Sequence, residues 1–173
     1  MRDNKNTRHH KSRGFSLVEL MITLAVLSIL LGIAAPSFND FLLSEQVSST
    51  GMELAGTVQY ARSEAVKRNA AIIIRPLGNL PGNWRTGWEV AVVGGDTLKQ
   101  YPAPDDDVTI TTTYDARTTS ALIYEGNGTT RNATSSFLVS ANDLSTTGDR
   151  ARCLTLSATG RLTTQRINPG EGC

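Results

Sequence analysis

The fold of this chain is decided by the stretch Gly14-Phe15-Ser16-Leu17-Val18-Glu19-Leu20 and the apolar run that continues from it to Ala35. From Phe15 to Ala35 the sequence holds 21 residues with a single charge, that of Glu19. A helix of that length is about 31 Å long, which matches the hydrocarbon core of a bilayer. The run therefore predicts a transmembrane helix near the N-terminus.

The residues before this run are basic. Met1 to Gly14 carries five Lys or Arg residues against one Asp, a net charge of +4, so the other 159 residues of the chain carry −3. A basic flank before an apolar span stays in the cytoplasm while the remainder crosses the membrane. The overall charge of +1 argues against a histone-like nucleic-acid binder, but it leaves room for a local basic patch.

Two simpler interpretations of the apolar run fit less well. A cleaved secretory signal peptide has a shorter apolar core and an Ala-x-Ala-like cleavage site, which this sequence lacks. A plain membrane anchor leaves Glu19 unexplained, because a charged residue at the centre of a span costs roughly 2.5 to 3.5 kcal/mol, and less near an edge. An ionisable residue kept in such a run is therefore a hypothesis of function.

The segment from Gly14 to Leu20 resembles the class III signal of type IV prepilins and type II secretion pseudopilins, with a basic leader, a Gly, an aromatic residue and a Glu at the fifth position after the Gly. The resemblance implies that prepilin peptidase cuts after Gly14, that the new amine of Phe15 is N-methylated, and that Glu19 serves assembly. A carboxylate in lipid needs a partner, so Glu19 of one subunit is expected to pair with the Phe15 amine of a neighbour.

The helix is expected to continue beyond the apolar run. Gly32 and Pro36 interrupt it, so we predict a kink or a weakened stretch near Ile33 to Ser37. Farther on, apolar residues at helical spacing predict an amphipathic half that packs on a globular head; these residues are Val47, Leu54, Val58, Ala61 and Ala65.

From Ala70 onward the sequence changes to short runs rich in Val, Ile and Thr between turn residues, which predicts strands and an α+β fold. The candidate strands are Ala71 to Arg75, Gly87 to Val93, Val108 to Thr113, Ala121 to Tyr124, Phe137 to Ser140 and Cys153 to Ser157. Two polar segments, Asp115 to Ser120 and Thr129 to Ser136, are expected to be loops. The predicted organisation is a cleaved leader (1–14), a transmembrane and assembly helix (15–36), the amphipathic half of that helix (37–69) and a β-rich head (70–173).

Three further segments resemble the GspH/FimT family of minor pilins and pseudopilins: Gln59 to Asn69 at the helix end, Trp84 to Val90, and Leu156 to Arg161. The resemblance implies a long N-terminal helix packed on an antiparallel β-sandwich-like head, with other pilin subunits as partners. Trp84 and Trp88 are interpreted as packing residues of the core and its rim, in preference to a ligand site.

The two cysteines, Cys153 and Cys173, are expected to form a disulfide. The bond would close a 21-residue loop in a head that lies on the non-cytoplasmic side, where disulfides persist, and it would pin the C-terminal tail to the last strand. The alternative is two free thiols.

No catalytic set is recognisable. Both histidines, His9 and His10, lie in the predicted leader, and no P-loop or G-x-G-x-x-G sequence is present. Two cysteines are too few for a structural zinc site. Three consecutive acids, Asp105 to Asp107, are interpreted as a solvated turn in preference to a calcium site. We therefore expect no enzyme activity, cofactor or metal.

The C-terminal segment is locally basic, with Arg150, Arg152, Arg161 and Arg166. Some FimT-type pilins bind DNA through a C-terminal motif of Gly, Arg, any residue and Arg. Gly160 and Arg161 match it, but the fourth position is Thr163 and the next arginine is Arg166. Contacts from these arginines to double-stranded DNA would reach the phosphates. The alternatives are a solvated basic edge and a salt-bridged contact to a neighbouring pilin.

The sequence therefore favours a non-enzymatic minor pilin of the initiating or tip complex of a type IV pilus. It would sit in the inner membrane as a single-pass protein with a periplasmic head, and then enter the pilus. Two alternatives remain open: a pseudopilin of the type II secretion system, and a pilus-displayed DNA-binding subunit for DNA uptake.

Overall fold

The longest element is α1, a 52-residue helix that spans Leu17–Arg68. It begins after Ser16, whose carbonyl accepts the Leu20 N–H at 3.1 Å. It ends at Asn69, which adopts a positive φ of 48° and closes the last turn as a left-handed cap. Helical backbone continues through Gly32 and Pro36, and the kink expected there stays a prediction.

The computed structural model describes residues 14–78, 82–114, 121–131 and 134–173, with the side chains of residues 33–37 and 114 excepted. The chain divides into two units, Met1–Phe38 and Asn39–Cys173. The leader residues 1–13 and the expected loop Asp115 to Ser120 lie outside the described residues. Among the residues described, no helical stretch combines the length and the mean hydropathy of a membrane span.

The second unit holds two four-stranded antiparallel sheets. The first has the strand order β3-β2-β1-β5 and the second the order β4-β6-β7-β8. The strands are β1 Ile72–Pro76, β2 Trp88–Val92, β3 Thr97–Tyr101, β4 Val108–Tyr114, β5 Leu122–Tyr124, β6 Thr134–Ala141, β7 Ala151–Ser157 and β8 Leu162–Ile167, with a 3-10 turn at Trp84–Thr86. A long helix followed by antiparallel sheets confirms the α+β fold class.

Each of the six predicted strands corresponds to an observed one, but two strands were not predicted. These are β3 and β8, the polar edge strands of the two sheets. The loop expected over Thr129 to Ser136 is wrong at its end, because Thr134 to Ser136 form the start of β6. Their hydroxyl side chains suit a strand that pairs with β4 on one side and β7 on the other.

The core of the second unit lies where α1 packs on the sheets. All five residues of the predicted apolar stripe, Val47, Leu54, Val58, Ala61 and Ala65, are fully buried, which confirms that this face packs on the head. The sheets and the 3-10 turn contribute large side chains to the same core: Trp84, Trp88, Tyr124, Phe137, Leu154 and Leu156. Complete burial of such a side chain contributes about 1.5 to 3 kcal/mol relative to exposure.

Candidate functional site

The N-terminal segment presents an apolar surface to solvent. Phe15 is 78% exposed, and the large apolar side chains that follow it as far as Leu31 are each at least half exposed. They are Leu17, Val18, Leu20, Met21, Ile22, Leu24, Val26, Leu27, Ile29, Leu30 and Leu31. An exposed apolar surface of this length is typical of a segment that contacts lipid or another protein.

The carboxylate predicted to serve assembly lies in the first turn of α1. Glu19 is exposed there, and a negative charge in the first turn interacts favourably with the positive end of the helix dipole. Within the described part of the chain it makes no salt bridge. Gly14, the predicted cleavage residue, and Phe15 precede the helix and are exposed.

Two of the sequence signatures meet at the end of α1. The Arg62 guanidinium donates from Nε to the Gly128 carbonyl at 3.1 Å and from Nη2 to the Thr159 carbonyl at 3.2 Å. The helix is thereby joined to the turn between β5 and β6 and to the turn between β7 and β8. We call this set of contacts the Arg62 clamp.

Gly160 packs against the residues of the Arg62 clamp. Gly160 has a positive φ of 78°, and a Cβ there would collide with the Gly128 carbonyl oxygen and the Tyr124 ring. The Tyr124 hydroxyl donates to the Gly160 carbonyl at 3.2 Å. Burial raises the pKa of Tyr124 to about 12, while the Arg62 charge opposes that rise. Position 160 therefore needs a glycine for both its conformation and its space.

A carboxylate on the same signature ties the last turns of the helix together. Glu64 accepts from Arg68 Nε at 2.6 Å and from Lys67 Nζ at 3.3 Å. The hydrogen bond from Arg68 lowers the pKa of Glu64 below its usual value, against the effect of burial. This signature segment thus acts within the helix as well as between the helix and the turns.

The third signature forms part of the core. Trp84 and Trp88 are both fully buried, so packing is confirmed, but neither lies at the rim. Trp88 donates from Nε1 to Thr57 Oγ1 of α1 at 3.1 Å, and Trp84 meets the Phe137 ring edge-on at 5.2 Å. All three signatures therefore fix α1 to the two sheets.

A buried carboxylate follows these tryptophans on β2. Glu89 accepts from Arg75 at 2.7 Å, from Thr97 at 2.9 Å and from Gln100 at 3.2 Å. Burial alone would raise the pKa of Glu89, but these hydrogen bonds hold it below the usual value. The three donors belong to β1 and β3, so the carboxylate joins the neighbouring strands of the first sheet.

Two of the four C-terminal arginines face α1. Arg150 forms a salt bridge with Asp40 of the helix at 2.9 Å. Arg152 is buried, and a Cβ at Gly51 of the helix would lie only 3.1 Å from its Cγ. Burial lowers the pKa of Arg152; Arg166 lowers it further and Glu45 opposes the shift. These two arginines lie at the contact between helix and sheet.

The other two arginines are exposed but do not converge. Arg166 lies opposite Arg152 on the face of the sheet that packs on the core. Ser157 donates its N–H to the Arg161 carbonyl at 3.0 Å, which makes these two a directly opposed pair across the β7–β8 turn. Because side chains alternate along a strand, Arg161 lies on the outer face and Arg166 on the inner face. The structure therefore does not bring the guanidinium groups of Arg161 and Arg166 together on one face of the sheet, and DNA binding by these arginines stays a prediction.

Cys153 and Cys173 form a disulfide with a Cα–Cα distance of 5.5 Å, which confirms that prediction. Cys153 lies on β7, so the bond holds the tail after β8 against the outer face of the second sheet. In the described ranges, no group of three or more His, Cys, Asp or Glu side chains is placed to hold a metal ion.

Two family models match this sequence. The model described as "Type II transport protein GspH" matches residues 50–160, and the model described as "Prokaryotic N-terminal methylation motif" matches residues 9–35. The first of these covers the signatures Gln59 to Asn69 and Trp84 to Val90, and the third signature as far as Gly160.

Among curated proteins, a type IV major fimbrial protein FimA of Dichelobacter nodosus is 32% identical over 119 residues, which are 64% of this chain and 76% of that protein. The type II secretion system protein H of Pseudomonas aeruginosa is 38% identical over 58 residues, 34% of each chain.

The solved structures of a minor pilin and a minor pseudopilin share this fold. The type IV minor pilin FimU of Pseudomonas aeruginosa has a TM-score of 0.56 at 27% identity and covers 72% of this chain and 92% of its own. The minor pseudopilin EpsH of the Vibrio cholerae type 2 secretion system has a TM-score of 0.52 at 10% identity and covers 73% and 99%. At that identity, the second likeness concerns the fold alone.

Proposed function

We propose that this chain, which belongs to the GspH family, is a non-enzymatic minor pilin that acts in the initiating or tip complex of a type IV pilus. The observation that carries the proposal is the apolar segment from Phe15 to Leu31, whose large side chains are exposed and which belongs to a separate unit from the folded head. A folded head does not need such a helix for its own stability. Helices of neighbouring subunits would cover it in a filament.

Processing comes first in this proposal. Prepilin peptidase cuts between Gly14 and Phe15, and the new amine is N-methylated. The basic leader, residues 1–14, remains in the cytoplasm, and the apolar run anchors the subunit in the inner membrane with its head in the periplasm. The match of residues 9–35 to an N-terminal methylation motif supports the methylation step.

Assembly then replaces lipid contacts with helix contacts. Glu19 of the incoming subunit pairs with the Phe15 amine of a neighbour, which relieves two desolvated charges at once and fixes the axial register. The exposure of Glu19 and the absence of a described salt bridge partner within the chain leave its carboxylate available for that pairing.

A pilus is favoured over a secretion pseudopilus by the extent of the sequence likeness, which spans 119 residues with the fimbrial protein FimA but only 58 residues with the secretion system protein H. The FimU structures are 27% and 28% identical to this chain, whereas the EpsH structures are 10% and 8% identical. DNA binding is not favoured, because Arg150 and Arg152 face the helix and the two exposed arginines lie on opposite faces of the sheet.

The proposal is tested with two substitutions at the N-terminus. Glu19→Ala is expected to leave processing intact and to reduce incorporation into pili, whereas Gly14→Ala is expected to block processing. N-terminal mass analysis reports cleavage and methylation, and immunoblots of sheared pili report incorporation. Glu53→Ala, which removes an exposed carboxylate elsewhere on α1, serves as the matched control. Normal incorporation of the Glu19→Ala protein would contradict the assembly role.

A further inference from the structure

Two arginines lie directly opposite each other on neighbouring strands of the second sheet, Arg152 on β7 and Arg166 on β8. The hydrogen bond from the Ser157 N–H to the Arg161 carbonyl sets the phase of this ladder, so the two arginines form a pair whose backbones share no hydrogen bond. In such a pair the Cα atoms are about 4.5 Å apart and the side chains lie closest together. Like charges in this position destabilise a sheet.

Within the described residues no carboxylate forms a salt bridge with either member of this pair. Arg152 is only 9% exposed, and its Nη1 donates to two carbonyls of its own segment, those of Arg150 and Ala151. Arg166 is exposed. The pair therefore combines one buried and one accessible guanidinium group, and both lack a bound counter-charge in the part of the chain that the structure describes.

The carboxylates that lie near this pair do not neutralise it. Asp40 already pairs with Arg150 at 2.9 Å. Burial lowers the pKa of Arg152, the charge of Arg166 lowers it further, and the charge of Glu45 on α1 opposes the shift. Glu45 is exposed and makes no salt bridge with a described residue. Three guanidinium groups thus share this part of the contact between α1 and the sheet with two carboxylates, which leaves one positive charge in excess.

A phosphate group fits this arrangement by its chemistry. A guanidinium group binds phosphate oxygens through parallel hydrogen bonds, and such charge-assisted bonds are about twice as strong as bonds between neutral groups. A phosphodiester carries a single negative charge, which equals the excess beside α1. Because the two side chains start from directly opposed positions, both guanidinium groups are able to reach one phosphate.

The surroundings of the pair favour a lipid as the source of this phosphate. The pair lies beside Asp40 and Glu45, at the beginning of the second unit, which starts shortly after the apolar run that ends at Ala35. Between these two acids, the apolar side chains of Phe41 and Leu42 are exposed. Exposed Phe and Leu side chains together with arginines are typical of a surface that lies among lipid headgroups.

We propose that Arg152 and Arg166 bind one phosphate group, which the headgroup of an anionic phospholipid supplies while the subunit is anchored in the membrane. The Arg166 guanidinium binds it from the accessible side and the Arg152 guanidinium from the buried side. The choice of a lipid rests on the proposed function, since it requires an anchored subunit. The contact holds the head at the membrane surface before assembly and is broken when the subunit enters the pilus.

Thermal unfolding of the full chain in detergent, with its disulfide intact, tests the site. Both tryptophans are buried in the second unit, so their fluorescence reports the unfolding of the head. Phosphatidylglycerol is expected to raise the Tm, as a ligand of the folded state does, whereas phosphatidylcholine, whose headgroup has no net charge, does not. An equal rise with inorganic phosphate would support the site but overturn the lipid source. No rise with phosphatidylglycerol or phosphate would overturn the proposal, and so would a rise with duplex DNA alone.

Arg166→Gln separates a binding role from a structural one. We expect this variant to bind phosphatidylglycerol at least about tenfold more weakly, because a charge-assisted contact is lost. Without lipid it should be at least as stable as the wild type, because a like charge opposite Arg152 is removed. Arg161→Gln, on the outer face of the same hairpin, is the matched control and should bind like the wild type. Equal binding by Arg166→Gln and the wild type would overturn the proposal.

Glu45→Gln tests the site through a gain of binding, which a misfolded variant cannot give. The substitution removes a carboxylate that competes with the phosphate for Arg152, so we expect binding of phosphatidylglycerol to tighten about twofold. Glu53→Gln, which removes another exposed carboxylate of α1, should leave binding unchanged. Weaker binding by Glu45→Gln than by the wild type would count against the site.

These outcomes are separable from the proposed function. Absence of a lipid effect together with normal, Glu19-dependent incorporation overturns the phosphate site alone. Normal incorporation of Glu19→Ala contradicts the proposed function, whatever the lipid does.

Discussion

Replacement of Arg62 by Met removes the Arg62 clamp while keeping a long side chain on the helix. The guanidinium donates to two carbonyls, at 3.1 Å to Gly128 and 3.2 Å to Thr159. A hydrogen bond from a charged group contributes about 1.5 to 3 kcal/mol, and leaving a buried acceptor unpaired costs a similar amount. Because the Arg62 side chain is exposed, water can replace part of the lost hydrogen bonding. We therefore expect the free energy of unfolding to fall by about 1.5 to 3 kcal/mol in total.

The assay is urea unfolding of the unit Asn39–Cys173 with its disulfide intact, followed by tryptophan fluorescence. Both tryptophans are buried in the core, so their emission reports the loss of packing. The expected loss corresponds to a fall in Tm of about 5 to 12 °C for a domain of this size. Lys67→Met is the matched control, because this side chain is 73% exposed and its surface ion pair contributes at most about 1 kcal/mol. A change below about 0.5 kcal/mol for Arg62→Met would refute the role of the clamp.

Three further predictions concern stability. Gly160→Ala forces a positive φ on a residue with a Cβ and pushes that Cβ into the Gly128 carbonyl, so we expect the free energy of unfolding to fall by at least about 2 kcal/mol. Gly170→Ala, at a position with open space, serves as the control and should unfold like the wild type in the same assay. Cys173→Ser removes the disulfide, whose cysteines have a sequence separation of 20, and is expected to lower the free energy of unfolding by about 3 kcal/mol. Wild-type protein treated with reductant should be as unstable as this variant. Equal stability of the variant and the wild type without reductant would contradict the role of the disulfide. The pKa of Glu89 is lower in the folded protein than in the unfolded chain. The ionised side chain therefore stabilises the fold at a pH above the usual pKa of a glutamate, and this stabilisation is lost as the pH falls through the lowered pKa. Glu89→Gln should therefore flatten the acid limb of stability measured from about pH 6 to pH 2, and an unchanged limb would count against the hydrogen bonds described here.

Much of the fold could be predicted because its main signals are local. The apolar run after Gly14, the helical stripe from Val47 to Ala65 and the strands that alternate between core and solvent each carry their own periodicity. β3 and β8 lack such a pattern, because an edge strand that exposes nearly all of its side chains has no apolar alternation. Thr134 to Ser136 resemble a loop in composition and become strand because both neighbours pair with them.

The placement of the arginines could not be predicted from composition. Arg150, Arg152, Arg161 and Arg166 look alike in a charge count, yet one pairs with the helix, one is buried against it and two lie on opposite faces. Only the register of β7 with β8 distinguishes them. Arg62 carried a detectable signal, since it lies within the helix-end signature, but its partners Gly128 and Thr159 are brought to it by the fold.

The most direct test of the central claim is the number of surface pili in cells that lack this chain, counted by electron microscopy, with type II secretion measured in the same cells. We expect few pili without the chain, recovery with the wild-type chain, no recovery with a fully processed Glu19→Ala chain, and normal secretion throughout. Unchanged pilus numbers together with a loss of secretion would contradict the proposed role in pilus assembly.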